Sequence, residues 1–276
     1  MQILINGLKT NRAFAVSSFF VLLLIAVALV APLIAPYDPL EAVMQNAYLP
    51  PSAEHLFGTD KLGRDNFSRI LYGASYSLSS VLLLVTIIFI VGTTLGVLAG
   101  YYGGKVDIVI MRISDMMISF PGMILAIAVA GILGGSLINA IIALTIVTWT
   151  KYARLARSMV LKIKKRDFVE AAIVNGGTST HILWKHILPN ILPLMVITAA
   201  SDIGAMMMEL AGLSFLGFGS QPPAPEWGLM LNEGRQQLQT APWLMIFPGL
   251  AIFVTVVIFN LWGDALRDVL DPRQEE

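Results

Sequence analysis

Residues 13–36 read AFAVSSFFVLLLIAVALVAPLIAP, an unbroken run without a single charge. A helix needs about 20 apolar residues to cross the hydrocarbon core of a bilayer, and this run is long enough. Lys9 and Arg12 precede it, and the turn-prone Tyr37-Asp38-Pro39 follows. A secretory signal would show a shorter apolar region, about 7–15 residues, with a small-residue cleavage site. The run therefore predicts an uncleaved first membrane helix.

The same test extends along the chain. Residues 70–104 carry no charge and predict a second helix over about 78–98, ending in GYYGG at 100–104. Residues 116–150 are charge-free and hold most of two helices, with Gly134-Gly135-Ser136 as the break between them. The third begins earlier, near Asp107, and takes Arg112 and Asp115 along; the fourth covers about 137–152. A fifth, over 187–210, contains Asp202 and Glu209, and a sixth lies over about 243–262. The expectation is an all-α integral membrane chain of six transmembrane helices. Period-two alternation is missing, which argues against a barrel.

Composition agrees. Of 276 residues, 56% are hydrophobic and only 13% charged, far from the roughly 25% charged of soluble proteins. Eighteen basic and eighteen acidic side chains give no net charge, so nucleic acid is not an expected partner. The chain has no cysteine, which removes thiolate metal sites and cysteine nucleophiles, and only His55, His181 and His186 as histidines. No catalytic residue and no metal site is assigned.

Six spans put both termini on one side, and basic residues favour the cytoplasmic side of short loops. Lys9, Arg12, Lys105, Lys151, Arg154, Arg157, Lys162, Lys164, Lys165, Arg166, Lys185, Arg267 and Arg273 fall on the proposed inner side. Lys61, Arg64, Arg69 and Arg235 fall outside. Both termini are therefore expected in the cytoplasm, with polar outer stretches over 37–72 and 214–240. The chain divides into an N-terminal segment, 1–75, with the first helix and an outer loop, and a core transmembrane domain, 76–276. No internal repeat is visible.

The longest inner loop, 151–185, begins with a basic ladder, YARLARSMVLKIKKRD at 152–167. Orientation and anionic lipid suffice to explain such a ladder. Beyond it, Asp167 to Asn175 reads as a short amphipathic helix closed by Gly176 or Gly177, restarting with Thr178 or Ser179 as N-cap. Phe168, Ala171, Ala172 and Val174 could bury a small surface in a partner's groove. The plainer alternative is a helix lying on the membrane.

Glu170-Ala171-Ala172, Gly176 six residues after Glu170, and Leu188-Pro189 resemble the coupling-loop motif of ATP-binding-cassette (ABC) importer permeases. His55 to Asp60, Gly63-Arg64-Asp65, Ser68-Arg69, LSFLGFG at 213–219, Glu226-Trp227-Gly228, Phe247-Pro248-Gly249, Phe259-Asn260-Leu261 and Gly263 to Asp268 extend it. Together they resemble the second permease subunit of the dipeptide, oligopeptide and nickel importers, from about 55 to 273; the first fifty residues read as generic. The resemblance implies the type I importer permease fold in a bacterial cytoplasmic membrane. It implies a homologous second permease, two ATPase subunits that bind ATP and magnesium, an extracytoplasmic binding protein, and peptides or nickel, free or chelated, as cargo. Local likeness around Asp202 to Met207 and Met111 to Asp115 leans toward nickel. Glu170, Ala171, Ala172, Gly176 and Gly177 would couple the chain to the ATPase. The chain itself lacks the GxxxxGK[ST] phosphate loop, so hydrolysis must lie elsewhere.

Carboxylates inside spans are costly and usually face protein or water, so Asp115, Asp202 and Glu209, with Met206, are candidate pathway residues. The alternative pairs Asp115 with Arg112 and leaves Glu209 in solvent at the outer interface. An ion-coupled transporter using these carboxylates is the rival function. Gly92, Gly96 and Gly100 have the spacing for close helix approach, within the chain or across a dimer. Pro121, Pro189 and Pro193 predict kinks, His55 is expected to be structural or solvated, and Trp227, Trp243 and Trp262 are expected in interfacial belts.

Overall fold

The computed structural model describes residues 7, 8 and 10–270; Lys9 and Arg273 lie outside the described residues. Helix α1 spans Arg12–Ile34, its first turn closed by the Asn11 side chain, which accepts from the backbone N–H of Phe14 at 3.0 Å. An outer strap over 35–65 follows, irregular except for a 3-10 turn at Met44–Asn46 and one bridge between Thr59 and Asp65. α2 spans Asn66–Tyr102, α3 Gly104–Ile118 and α4 Gly122–Leu133. α5 is Leu137–Ile163 and α6 is Asp167–Val174. α7, Ser179–Ile182, runs through a π-helical turn, Leu183–Ile187, into α8, Leu188–Phe215. α9, Trp227–Gly234, and α10, Trp243–Leu270, complete the chain.

Four of these runs are long and apolar enough to cross a membrane: α1, α2, the α7–α8 run and α10. The pair α3 and α4 adds a fifth, broken span, bent by 95°. The break falls at Pro121, whose ring disfavours helical geometry at the preceding residue and which starts α4 with an extended ψ of 121°. α5 is apolar in its first half and basic in its second.

Two expectations need correction. α2 does not begin near residue 78 but three turns earlier, because Asn66, Ser68 and Arg69 are buried and bonded within the protein rather than solvated. Hydropathy counts such residues as loop. Trp227 is not a lipid anchor: it is buried and donates its indole N–H to the carbonyl of Ile70 at 3.0 Å. Trp243 donates to the Thr59 carbonyl at 3.3 Å, and Trp262 to the Ser18 hydroxyl at 3.1 Å.

The centre of the bundle is the seam between α2 and α5. A Cβ at Gly92 would meet the Tyr152 side chain and the Trp149 carbonyl; at Gly96, the backbone and side chain of the Ala153–Ala156 turn; at Gly100, Val160. The three glycines therefore serve packing within the chain, not a dimer. Around the seam, Leu84, Val85, Ile88, Leu144 and Tyr152 are buried. α8 and α10 approach by the same device, Gly204 facing Asn260 and Gly263 facing Ser201.

Gly96→Leu should force the α2–α5 seam apart and cost at least about 1–3 kcal/mol, the usual range for overpacking. Thermal unfolding in detergent would show it as a lowered midpoint.

Candidate functional site

Three groups of residues stand out, one at the end expected to be inner, one within the spans and one at the end expected to be outer. At the inner end, α6 starts with Asp167 and Glu170 in its first turn, where acidic groups favour the positive end of the helix dipole. Val169 is fully buried and fastens the helix to the bundle. Phe168, Ala171, Ile173 and Val174 stay exposed, Val174 at 86%. Glu170 is exposed and makes no ion pair among the described residues. Trp184, on the π-helical turn beyond, is 71% exposed, so the inner end carries a small apolar surface.

The helix stops through a two-bond cap. Gly176 takes φ +80°, a conformation that costs a residue with a Cβ about 1–2 kcal/mol. Its N–H donates to the Ile173 carbonyl and that of Gly177 to the Ala172 carbonyl, both at 3.0 Å. Gly176 is thus the left-handed residue, and Gly177 supplies the second bond. Thr178 then caps α7 by accepting from the N–H of His181 at 3.3 Å. The result is a short rigid rod with a defined break, held to the bundle at Val169 and Ile182.

Within the spans, the first three cations of the basic half of α5, Lys151, Arg154 and Arg157, prove to be paired. Lys151 donates to both oxygens of Asp202 on α8, at 2.7 and 2.8 Å, and the buried Tyr152 hydroxyl adds a third bond at 3.0 Å. Arg154 bonds Asp115 on α3 at 2.5 Å and the Ser114 hydroxyl at 3.1 Å. Arg157 grips both oxygens of Asp107 at 2.5 and 2.6 Å. Asp115 is therefore paired with Arg154, not with Arg112 as its position on the same helix suggested. Glu209 is half-buried rather than solvated. Met206 and Met207 pack in the core, while Met208 faces outward from α8 at 56% exposure. An apolar groove of about 530 Å³ runs beside Met208, between α8 and α10.

At the outer end, a buried ion cluster binds the strap to α9. Arg64 bonds Asp60 at 2.6 Å and reaches Glu233 at 3.3 Å; Arg69 bonds Glu233 at 2.9 Å. His55 is structural: its Nδ1 lies 2.9 Å from Asp65, whose other oxygen caps α2 by accepting from the N–H and hydroxyl of Ser68. Sequence reasoning quoted the motif but missed Glu233, which lies more than 160 residues downstream of its arginines. Nothing local signalled it, because Asp60 and Asp65 already stand beside Arg64 and Arg69 in the sequence. Glu226 caps α9 through the N–H groups of Gly228 and Leu229. Burial pushes its carboxyl above the ordinary range, partly opposed by those two bonds.

Residues 92–276, which carry α6 and all the paired mid-span charges, match the family described as binding-protein-dependent transport system inner membrane component. The chain belongs to this family. Residues 1–51 match the N-terminal transmembrane domain of oligopeptide transport permease C, so the first fifty residues are not generic as expected. The chain is 45% identical over 268 residues to the dipeptide transport system permease protein DppC of Alkalihalophilus pseudofirmus, covering 97% of this chain and 88% of that one. It is 47% identical to the glutathione transport system permease protein GsiD of Pectobacterium atrosepticum, covering 93% and 86%. Identity to the nickel transport system permease protein NikC of Escherichia coli is 40%, covering 96% of both. In fold it is similar to a chain of the inward-facing MetNI methionine ABC transporter, with TM-score 0.59, 22% identity, and 74% and 97% of the two chains covered.

As a permease of an ABC importer, the chain works with ATPase subunits and a binding protein, and hydrolyses nothing itself. That energy source displaces the ion-coupled alternative.

Glu233→Ala would leave Arg64 and Arg69 buried without their shared carboxylate. A loss of about 3–5 kcal/mol is expected for breaking a buried ion pair on one side, measurable by denaturant unfolding in micelles.

Proposed function

We propose that the chain forms half of the passage of a short-peptide importer, beside a homologous second permease and above two ATPase subunits holding ATP and magnesium. The observation that carries this is α6: a short rod with an exposed apolar face, ended by a left-handed glycine and anchored to the bundle through the buried Val169. Such a rod is suited to enter a cleft of an ATPase and transmit its closure. Glu170, Ala171, Ala172, Gly176 and Gly177 are its working residues.

Six spans with both termini in the cytoplasm fit the charge distribution, with α3 and α4 as one broken span and α5 as the span whose basic half reaches the inner surface. Peptide cargo is favoured over nickel because dipeptide and glutathione permeases are the more similar relatives. The chain also has no cysteine, and of its three histidines His55 lies in the strap while His181 and His186 sit at the very start of the α7–α8 run. Asp115, Asp202 and Glu209 are proposed to line the passage, with the outward-facing Met208 taking the place expected for the buried Met206.

Glu170→Lys and Gly176→Pro should leave membrane insertion intact and abolish ATP-dependent peptide uptake in proteoliposomes while the ATPase still turns over. Normal uptake in both variants would defeat the coupling role. A cysteine at Ser179 should react with an impermeant reagent only from the cytoplasmic side, and one at the exposed Gln221 only from outside; the opposite pattern would invert the topology.

A further inference from the structure

Charged side chains within a span face protein or water, so those left exposed at depth mark a face that does not meet lipid. Lys151 lies about 21 Å below the outer end of α5 at Leu137, and Asp202 about 20 Å below the outer end of α8 at Phe215. The pair that joins these helices therefore sits inside a hydrocarbon core of about 30 Å, just past its midplane toward the inner side. Lys151 nevertheless keeps 57% of its side chain exposed, while Asp202 is nearly buried. An ammonium group has three donors; two are held by the Asp202 oxygens, and the third is free. One turn further in, Arg154 and Asp115 are both about half exposed and continue the charged face.

Glu209 lies seven residues outward of Asp202 on α8, about 10 Å along the axis. It is half-buried and makes no hydrogen bond or ion pair among the described residues. Asp202 is satisfied by Lys151 and Tyr152. Two unmet valences remain on this face: the third donor of a mid-span ammonium, and a carboxylate about 10 Å nearer the outside.

We infer that Glu209 and Lys151 form a bipolar contact for zwitterionic cargo, Glu209 receiving an ammonium group and Lys151 a carboxylate. Resting on the importer reading, this names the chemistry the passage accepts. Three residues of extended chain span about 10 Å, so a short peptide with free termini reaches both groups, amino end outward. Asp202 holds Lys151 in place and keeps the midplane neutral when no cargo is present. A single metal cation would satisfy only Glu209.

The test uses the complete transporter in nanodiscs, without binding protein, titrated with trialanine, N-acetyl-trialanine and trialanine amide while its thermal midpoint is followed. Free trialanine should raise the midpoint of the wild type, and each blocked peptide should need about tenfold more for half the shift, the loss of one charged contact. In Glu209→Gln, free and N-acetylated peptide should become equivalent. In the double variant Lys151→Met with Asp202→Asn, which removes both members of the ion pair together, free peptide and amide should become equivalent. Absence of a shift in the wild type, or the same preference among the three peptides in all proteins, would overturn the inference. A carboxylate of the second permease seated on Lys151 would give that last pattern. ATP-dependent uptake of trialanine by the full system is measured alongside: its absence defeats the peptide-importer reading, and its presence without a thermal shift defeats this inference alone.

Discussion

The backbone contact between α2 and α5 at Gly92, Gly96 and Gly100 underlies everything else. In a bilayer, helices gain nothing by hiding apolar surface from lipid tails that are equally apolar, so association depends on close packing and polar contacts. Three glycines one turn apart let the carbonyls and small side chains of α5 lie directly on α2. That seam sets the position of α5, and α5 carries the ladder whose cations reach α8 through Asp202 and α3 through Asp115 and Asp107.

The ladder has a consequence for force. α5 leads at its inner end directly into α6, the exposed rod, and at mid-height is tied by ion pairs to the broken span and to α8. Under the proposed coupling, a displacement of the rod would be delivered to α3 and α8 through these short, hydrogen-bonded charges. At the outer end the Arg64–Asp60–Glu233–Arg69 cluster fixes the strap to α9, so motion is resisted there. The chain combines a tied outer rim with a loosely fastened inner rod.

Much of this was legible in the linear sequence where physics is local. The left-handed glycine after α6 could be read as one of two adjacent glycines, and Thr178 as one of two N-caps, because capping involves groups within about four residues. The start of α2 was not legible: its first turns are polar, and only Glu233 and Asp60 make burial of Arg69 tolerable. Asp115 was expected to pair with Arg112 because same-helix neighbours are all that spacing can offer. Its actual partner lies 39 residues away. Likewise three successive methionines look alike in sequence, and only the rotation of α8 against its neighbours turns Met206 inward and Met208 out.

By itself, then, the sequence determined the solvent, the helical class and the inner rod, while the ATPase subunits were implied only by the family resemblance. The first three follow from composition over about twenty residues or from hydrogen bonds between near neighbours. Tertiary structure alone decided which charges neutralise one another, which glycines meet which backbone, and which carboxylate is left without a partner. Those are matters of pairing between distant segments, and a carboxylate carries no local mark of the cation that will find it.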